Sequence, residues 1–215
     1  MKIRKLIVSA FTFAIVIGSI TGCATTTYQK RASTSSALTQ SSDMIAKGSV
    51  LIDETLAKLN DLVSNPSPDL RKQFNAFNNS VNELGSAAKD ITIKAEQMKL
   101  QGAAYFKNWD KEAAQMQNED IRQRSEARKN EVTARFNRIT ESYEATKAAC
   151  IPYMSDLRDI QKFLSVDLTS EGLVAIKDVA EKATNHAAPL KESISGLSEE
   201  FKALGVSMSS KAAIM

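Results

Sequence analysis

Between Leu70 and Trp109 the apolar side chains return at alternating steps of four and three: Leu70, Phe74, Phe77, Val81, Leu84, Ala88, Ile91, Ala95, Met98, Gly102, Tyr105 and Trp109. Only an α-helix brings such a series onto one face, and a seven-residue repeat kept this long calls for partner helices along its whole length. Forty residues at 1.5 Å each make a helix of about 60 Å, longer than a compact domain of this size needs. The chain is thereby committed to a helical rod.

Three further stripes supply the partners. Leu38, Ile45, Ile52 and Leu59 stand seven apart, with Leu56 and Val63 between them, and Ser42 and Ser49 at the remaining alternate positions. Small polar residues there leave open whether this half packs closely or loosely. Ser64-Asn65-Pro66-Ser67-Pro68 ends the first helix, because two prolines remove amide donors and turn their predecessors away from helical geometry. Ser67 or Asp69 then caps the second helix. The third stripe runs through Val132, Phe136, Ile139, Tyr143, Thr146, Cys150, Tyr153, Leu157, Ile160 and Leu164, out of phase with the second. A hairpin turn near Asn118-Glu119-Asp120 resolves the slip, although no glycine or proline marks it and a continuous helix would also fit. A cap signal at residues 167–171 opens the fourth stripe, Leu173, Ile176, Ala180, Ala183, Ala187, Leu190, Ile194, Leu197, Phe201 and Leu204. Pro152 and Pro189 interrupt neither period and predict kinks or short breaks with the direction kept.

No stretch alternates with a two-residue period between turn signals, so strands are not expected. The expected fold is all-α: an elongated antiparallel helical bundle, or coiled coil, with a long central helical hairpin. Its helices should span about residues 38–64, 69–117, 120–165 and 169–205, with a frayed tail over 206–215. The two middle helices should outreach the outer pair at one end.

The first 22 residues belong to a different kind of segment. Lys2, Arg4 and Lys5 precede a run from Leu6 to Gly18 that is apolar except at Ser9 and Thr12, the order of a secretory signal. Thirteen apolar residues are too few for a permanent span, which takes about 20. Ile20-Thr21-Gly22-Cys23 closes the leader and resembles the lipobox of bacterial lipoproteins, which implies cleavage before Cys23 and a diacylglycerol on its thiol. Ile20 and Thr21 stand where Leu and Ala or Ser are commoner. Ala24, in place of Asp, resembles the sorting pattern that favours the outer membrane of a Gram-negative host. The expected location is thus the cell envelope, lipid-anchored, at the periplasmic face of the outer membrane. Residues 23–37, polar and rich in Ser and Thr, read as a tether.

Removal of the leader also changes the charge. The chain holds 28 basic and 25 acidic residues, and losing Lys2, Arg4 and Lys5 leaves 25 of each. A neutral exported body gives no argument for nucleic acid, which requires a clustered basic surface. Acylation of Cys23 would leave Cys150 as the one thiol, and its place on an apolar stripe favours burial over an intermolecular bridge.

No constellation for catalysis emerges. A di-iron bundle needs histidines at helical spacing, and His186 is the only one. Phosphate-binding glycine loops and the Gly-x-Ser-x-Gly elbow are absent. The carboxylates interleave with basic residues at spacings that suit surface ion pairs. No catalytic residue, cofactor or metal is therefore assigned, and an enzyme is not expected.

Two stretches remain as candidate interaction surfaces. Tyr105, Phe106 and Trp109 gather three aromatics within about one turn, either as core packing or as an anchor for a partner. Residues 110–131 follow, half of them charged, and residues 121–140 carry six basic residues, Arg122, Arg124, Arg128, Lys129, Arg135 and Arg138, against Glu126 and Glu131. They read either as a solvated hairpin tip or as a surface for phosphates or an acidic partner.

The run Tyr105-Phe106-Lys107-Asn108-Trp109-Asp110-Lys111-Glu112, with Ile121-Arg122, Ser125 and Arg128 after it, resembles an uncharacterised family of bacterial proteins catalogued as a domain of unknown function. The likeness covers nearly all of the chain after the leader. It implies a helical cell-envelope protein, many relatives being predicted lipoproteins, and it brings no activity or ligand. The expected role is an anchored structural or protein-interaction rod, with an envelope protein or another copy of itself as partner. The alternative is a bundle that opens around Ser42, Ser49, Ala88 and Ala95 to take a lipid or other apolar ligand.

Overall fold

The structure, a computed structural model, describes residues 27–208, with side chains from Ser35 onward. Five helices follow one another: α1 (Thr27–Ser64), α2 (Leu70–Ala114), α3 (Glu119–Val166), α4 (Ser170–Ala175) and α5 (Lys177–Met208). Among the described residues there is no strand. Helix α2 packs on α1 and α3, and α5 packs on α1 and α3, so the four long helices form an up-down-up-down ring with α1 opposite α3 and α2 opposite α5. The α2–α3 hairpin is the longest unit, while the most extensive packing surrounds α5.

The stripes form the core. Ile52, Leu59, Phe77, Val81, Val132, Ile139, Leu157, Ile160, Leu164, Leu190 and Leu197 are all buried. Helix α1 buries a wider arc than its stripe predicts, adding Gly48, Thr55 and Leu62, because it meets two neighbours, α2 on one flank and α5 on the other. Thr55 is tolerated there because its hydroxyl donates to the Leu51 carbonyl at 2.7 Å.

Close packing settles the role of the small residues in α1. The Ser42 and Ser198 hydroxyls meet at 3.0 Å between α1 and α5, and Ser35 Oγ donates to the Gly205 carbonyl at 2.7 Å. A β-carbon on Gly205 would stand 3.2 Å from the Ser35 carbonyl oxygen and 3.3 Å from Leu38 Cβ. Short side chains let the two backbones approach.

Several boundaries differ from expectation. Helix α1 begins at Thr27, so residues 27–37 are helical and not an irregular tether. Hydroxyls that suit loops are accommodated in the helix: Thr39 and Ser41 donate back to the carbonyls of Ser35 and Ala37. Helix α5 continues past 205 to Met208, which is buried, and Arg128 donates to the Ser207 carbonyl at 2.7 Å, satisfying one acceptor that a helix end leaves open. The fourth expected helix is two, divided at Ile176. Nothing in the structure explains the division. Pro152 and Pro189, by contrast, lie within unbroken helices.

Between α2 and α3 the chain turns over residues 115–118, with the Asn118 side chain accepting from the Ile121 amide as N-cap. At the opposite end, Gln73 fixes the α1–α2 connection: its amide nitrogen donates to Asp61 and to the Asn65 carbonyl, and its oxygen accepts from the Ser67 amide. Thr169 caps α4, and Gly172 passes so close to Asp167 that a β-carbon would lie 2.3 Å from its carbonyl oxygen.

Candidate interaction surface

The hairpin end gathers most of the candidate residues. Tyr105 meets Phe106 and Trp109 edge-on at ring-centroid distances of 5.5 and 5.6 Å, and Phe106 meets Phe136 of α3 at 5.6 Å. All four rings are half-buried. Trp109 Nε1 donates to Ser125 Oγ at 2.9 Å, so the indole's only donor is spent inside the hairpin. Edge-to-face contacts of this kind add roughly 0.5–1.5 kcal/mol per pair beyond area burial. The cluster thus joins α2 to α3 while presenting part of its rings to solvent.

Five of the six basic residues in 121–140 are paired with carboxylates, two of them with Glu131 of the same stretch and three with acids outside it. Arg122 pairs with Glu119, Lys129 with Asp110 of α2, Arg128 and Arg135 with Glu131, and Arg138 with Glu200 of α5. Arg124 alone of the six has no carboxylate partner among the described residues. Such exposed pairs contribute about 0–1 kcal/mol each, yet they remove the local field that a phosphate-binding surface needs. Glu119 and Glu131 of α3 supply part of the counter-charge at helical spacing, and packing against α2 and α5 brings Asp110 and Glu200.

Other reactive groups lie apart from this end. Cys150 is half-buried in α3, where burial pushes its thiol above the ordinary range, so it holds little thiolate at neutral pH. His186 Nδ1 lies 2.7 Å from Asp156 Oδ2, tying α5 to α3. Among the described residues no three His, Cys, Asp or Glu side chains converge as a metal site. Gln73 and Gly172, which fix the far turns, were not singled out by the sequence; a glutamine five residues past a proline-rich turn carries no specific signal. At that far end an open cleft of about 710 Å³ lies between the two connections, lined among others by Pro66, Pro68, Arg71, Leu168 and Glu171. Cys23 lies outside the described residues, as do Lys2, Arg4 and Lys5.

No described helix is long and apolar enough to cross a membrane. Fold and surface together define a class: an extended four-helix bundle whose one end carries a half-exposed aromatic cluster ringed by ion pairs. The chain belongs to the family described as protein of unknown function (DUF2959), which matches residues 22–203. No curated protein and no solved structure matches it.

Proposed function

We propose that the protein is a non-enzymatic lipoprotein of the bacterial cell envelope, anchored through a lipid on Cys23 and serving a structural or protein-interaction role. The observation that carries this is the leader itself: three basic residues, a 13-residue run and Gly22-Cys23 at its end. The family match begins at residue 22, where that leader stops, which supports a mature chain starting at Cys23. The ring of long helices supports a spacer role, because α2 and α3 at 1.5 Å per residue reach roughly 68–72 Å. The outer membrane is the favoured site because Ala24, not Asp, follows the cysteine. An apolar ligand between the helices has less support: Ser42 closes on Ser198, and Gly48 lies where a β-carbon would meet Ile194 at 3.5 Å.

Phase separation of cell extracts in a cloud-point detergent tests the anchor. The wild-type chain should enter the detergent phase, and its N-terminal peptide should carry the mass of a diacylglycerol. A Cys23→Ser chain whose leader is still cleaved and which still partitions into detergent would overturn the reading. For the interaction role, photo-crosslinkers at exposed positions along the rod should yield one recurrent adduct with an envelope protein or with a second copy.

A further inference from the structure

We infer that the hairpin end of the rod, residues 115–124, rests on the headgroup layer of the membrane that holds the lipid, and that the turns at residues 64–70 and 166–172 are held away from it. The inference rests on the Cys23 anchor proposed above; its geometry comes from the helices.

Four Cα–Cα steps of 3.8 Å separate Cys23 from Thr27, where α1 begins, so whatever path those residues take, the acylated residue is within about 15 Å of the helix start. A tether of that length leaves no freedom to invert a rod more than four times as long. The end of the bundle that carries Thr27 must therefore lie close to the bilayer.

Three contacts show which end that is. Ser35 of α1 bonds Gly205 of α5, Arg128 of α3 bonds Ser207 two residues further along α5, and Lys129, next to Arg128, pairs with Asp110 of α2. All four helices thus pass through one level of the bundle. From it, α1 runs eight more residues to Thr27, about 12 Å, and α3 runs nine more to Glu119, about 13 Å, in the same direction. Anchor and hairpin turn finish side by side.

Chemistry at that end is compatible with a headgroup layer and does not depend on charge attraction. Between residues 107 and 129 stand six basic and five acidic side chains, several of them paired with one another. Ile121 is half exposed, and Gln115, Gln117 and Gln123 are exposed and uncharged. A nearly neutral, glutamine-rich turn with one exposed apolar side chain, Ile121, and a half-buried one, Met116, is neither repelled by anionic lipid nor bound by it. The anchor supplies the proximity, and raised salt should leave the arrangement unchanged.

The test uses the full acylated chain extracted from membranes and reconstituted in phosphatidylcholine vesicles containing a lipid with a nitroxide on its headgroup. Cys150→Ala removes the other thiol, so a fluorophore can be placed at Gln117→Cys, Gln123→Cys or Ser170→Cys, with helicity by circular dichroism as the folding control. The two hairpin labels should lose more than half of their emission, and the label at residue 170 less than a tenth, with or without 0.5 M salt. Equal quenching at both ends, quenching at residue 170 alone, or none at either would overturn the inference while leaving the anchor standing, provided the same sample shows the diacyl mass on Cys23. Absence of that mass would overturn both.

Discussion

The ring of Phe136 packs so tightly against Gly102 that a β-carbon on the glycine would stand 2.3 Å from Phe136 Cζ and 2.5 Å from Cε2. This contact holds α3 against α2 just below the aromatic cluster, where the core is thinnest and the stripe of α2 is only half-buried. Glycine costs a helix about 1 kcal/mol relative to alanine, and at residue 102 of the 45-residue α2 that cost is accompanied by a contact that a side chain would disturb.

Gly102→Ala is therefore expected to gain less than its better helix propensity offers, since the half-exposed Phe136 ring must swing aside to admit the methyl. Gly196→Ala in α5, where an added β-carbon meets nothing within 4 Å, should instead raise stability by about 1 kcal/mol. Urea unfolding of the two variants gives the comparison; a Gly102→Ala chain as stable as Gly196→Ala would show that Phe136 moves aside without cost.

The far turn offers a second expectation. Gln73 alone satisfies the Ser67 amide and contacts Asp61 and the Asn65 carbonyl. Gln73→Ala removes all of these at once and should cost about 1–3 kcal/mol. Hydrogen exchange localises the loss: amides over residues 61–70 should lose protection while the hairpin end keeps its own.

How much of this was legible follows from what each residue signals. The stripes of Phe77, Ile139, Leu157 and Leu190 could be read because burial recurs with the helical period and needs no knowledge of the partner. Ser42 and Ser49 could not, since a small side chain serves a close or a loose seam equally well until α5 is seen to place Ser198 opposite Ser42. The start of α1 was hidden for a similar reason: serine and threonine favour loops on their own, and tertiary contacts such as Ser35 with Gly205 override that preference. At the candidate surface the cations of α3 were countable in sequence, but Asp110 and Glu200, on other helices, become their partners only through packing.

Arg128 carries a third expectation, because it spans from α3 to the last described turn of α5. Its guanidinium donates to the Ser207 carbonyl and pairs with Glu131. In Arg128→Ala the end of α5 loses that partner, and its last-turn amides should exchange about tenfold faster, the equivalent of roughly 1.4 kcal/mol. Arg128→Lys can reach one acceptor but not two and should fall between. Unchanged exchange in both variants would assign the end of α5 to apolar packing through Leu204 and Met208 alone.

The alkaline limb of stability yields the last expectation. Tyr153 is fully buried, its hydroxyl 3.5 Å from the Ile52 carbonyl, and burial pushes its phenol above the ordinary value of 10.0. Cys150, one turn earlier, is raised from 9.0 for the same reason. A group whose folded pKa is raised contributes fully below its unfolded pKa and loses that contribution as pH climbs through and beyond it, because the unfolded chain sheds the proton first. Stability should thus fall from about pH 9 upward, and above pH 10 the phenol alone accounts for about 1.4 kcal/mol per pH unit. Lys99, held high chiefly by its hydrogen bond to Glu144, acts in the same direction, so the diagnostic quantity is the difference between variants. Tyr153→Phe should flatten the slope between pH 10 and 11 and Cys150→Ala the slope nearer pH 9, both followed by urea unfolding at fixed ionic strength. A Tyr153→Phe chain with the wild-type slope would mean that the phenol reaches solvent before it ionises and that α3 opens locally around it.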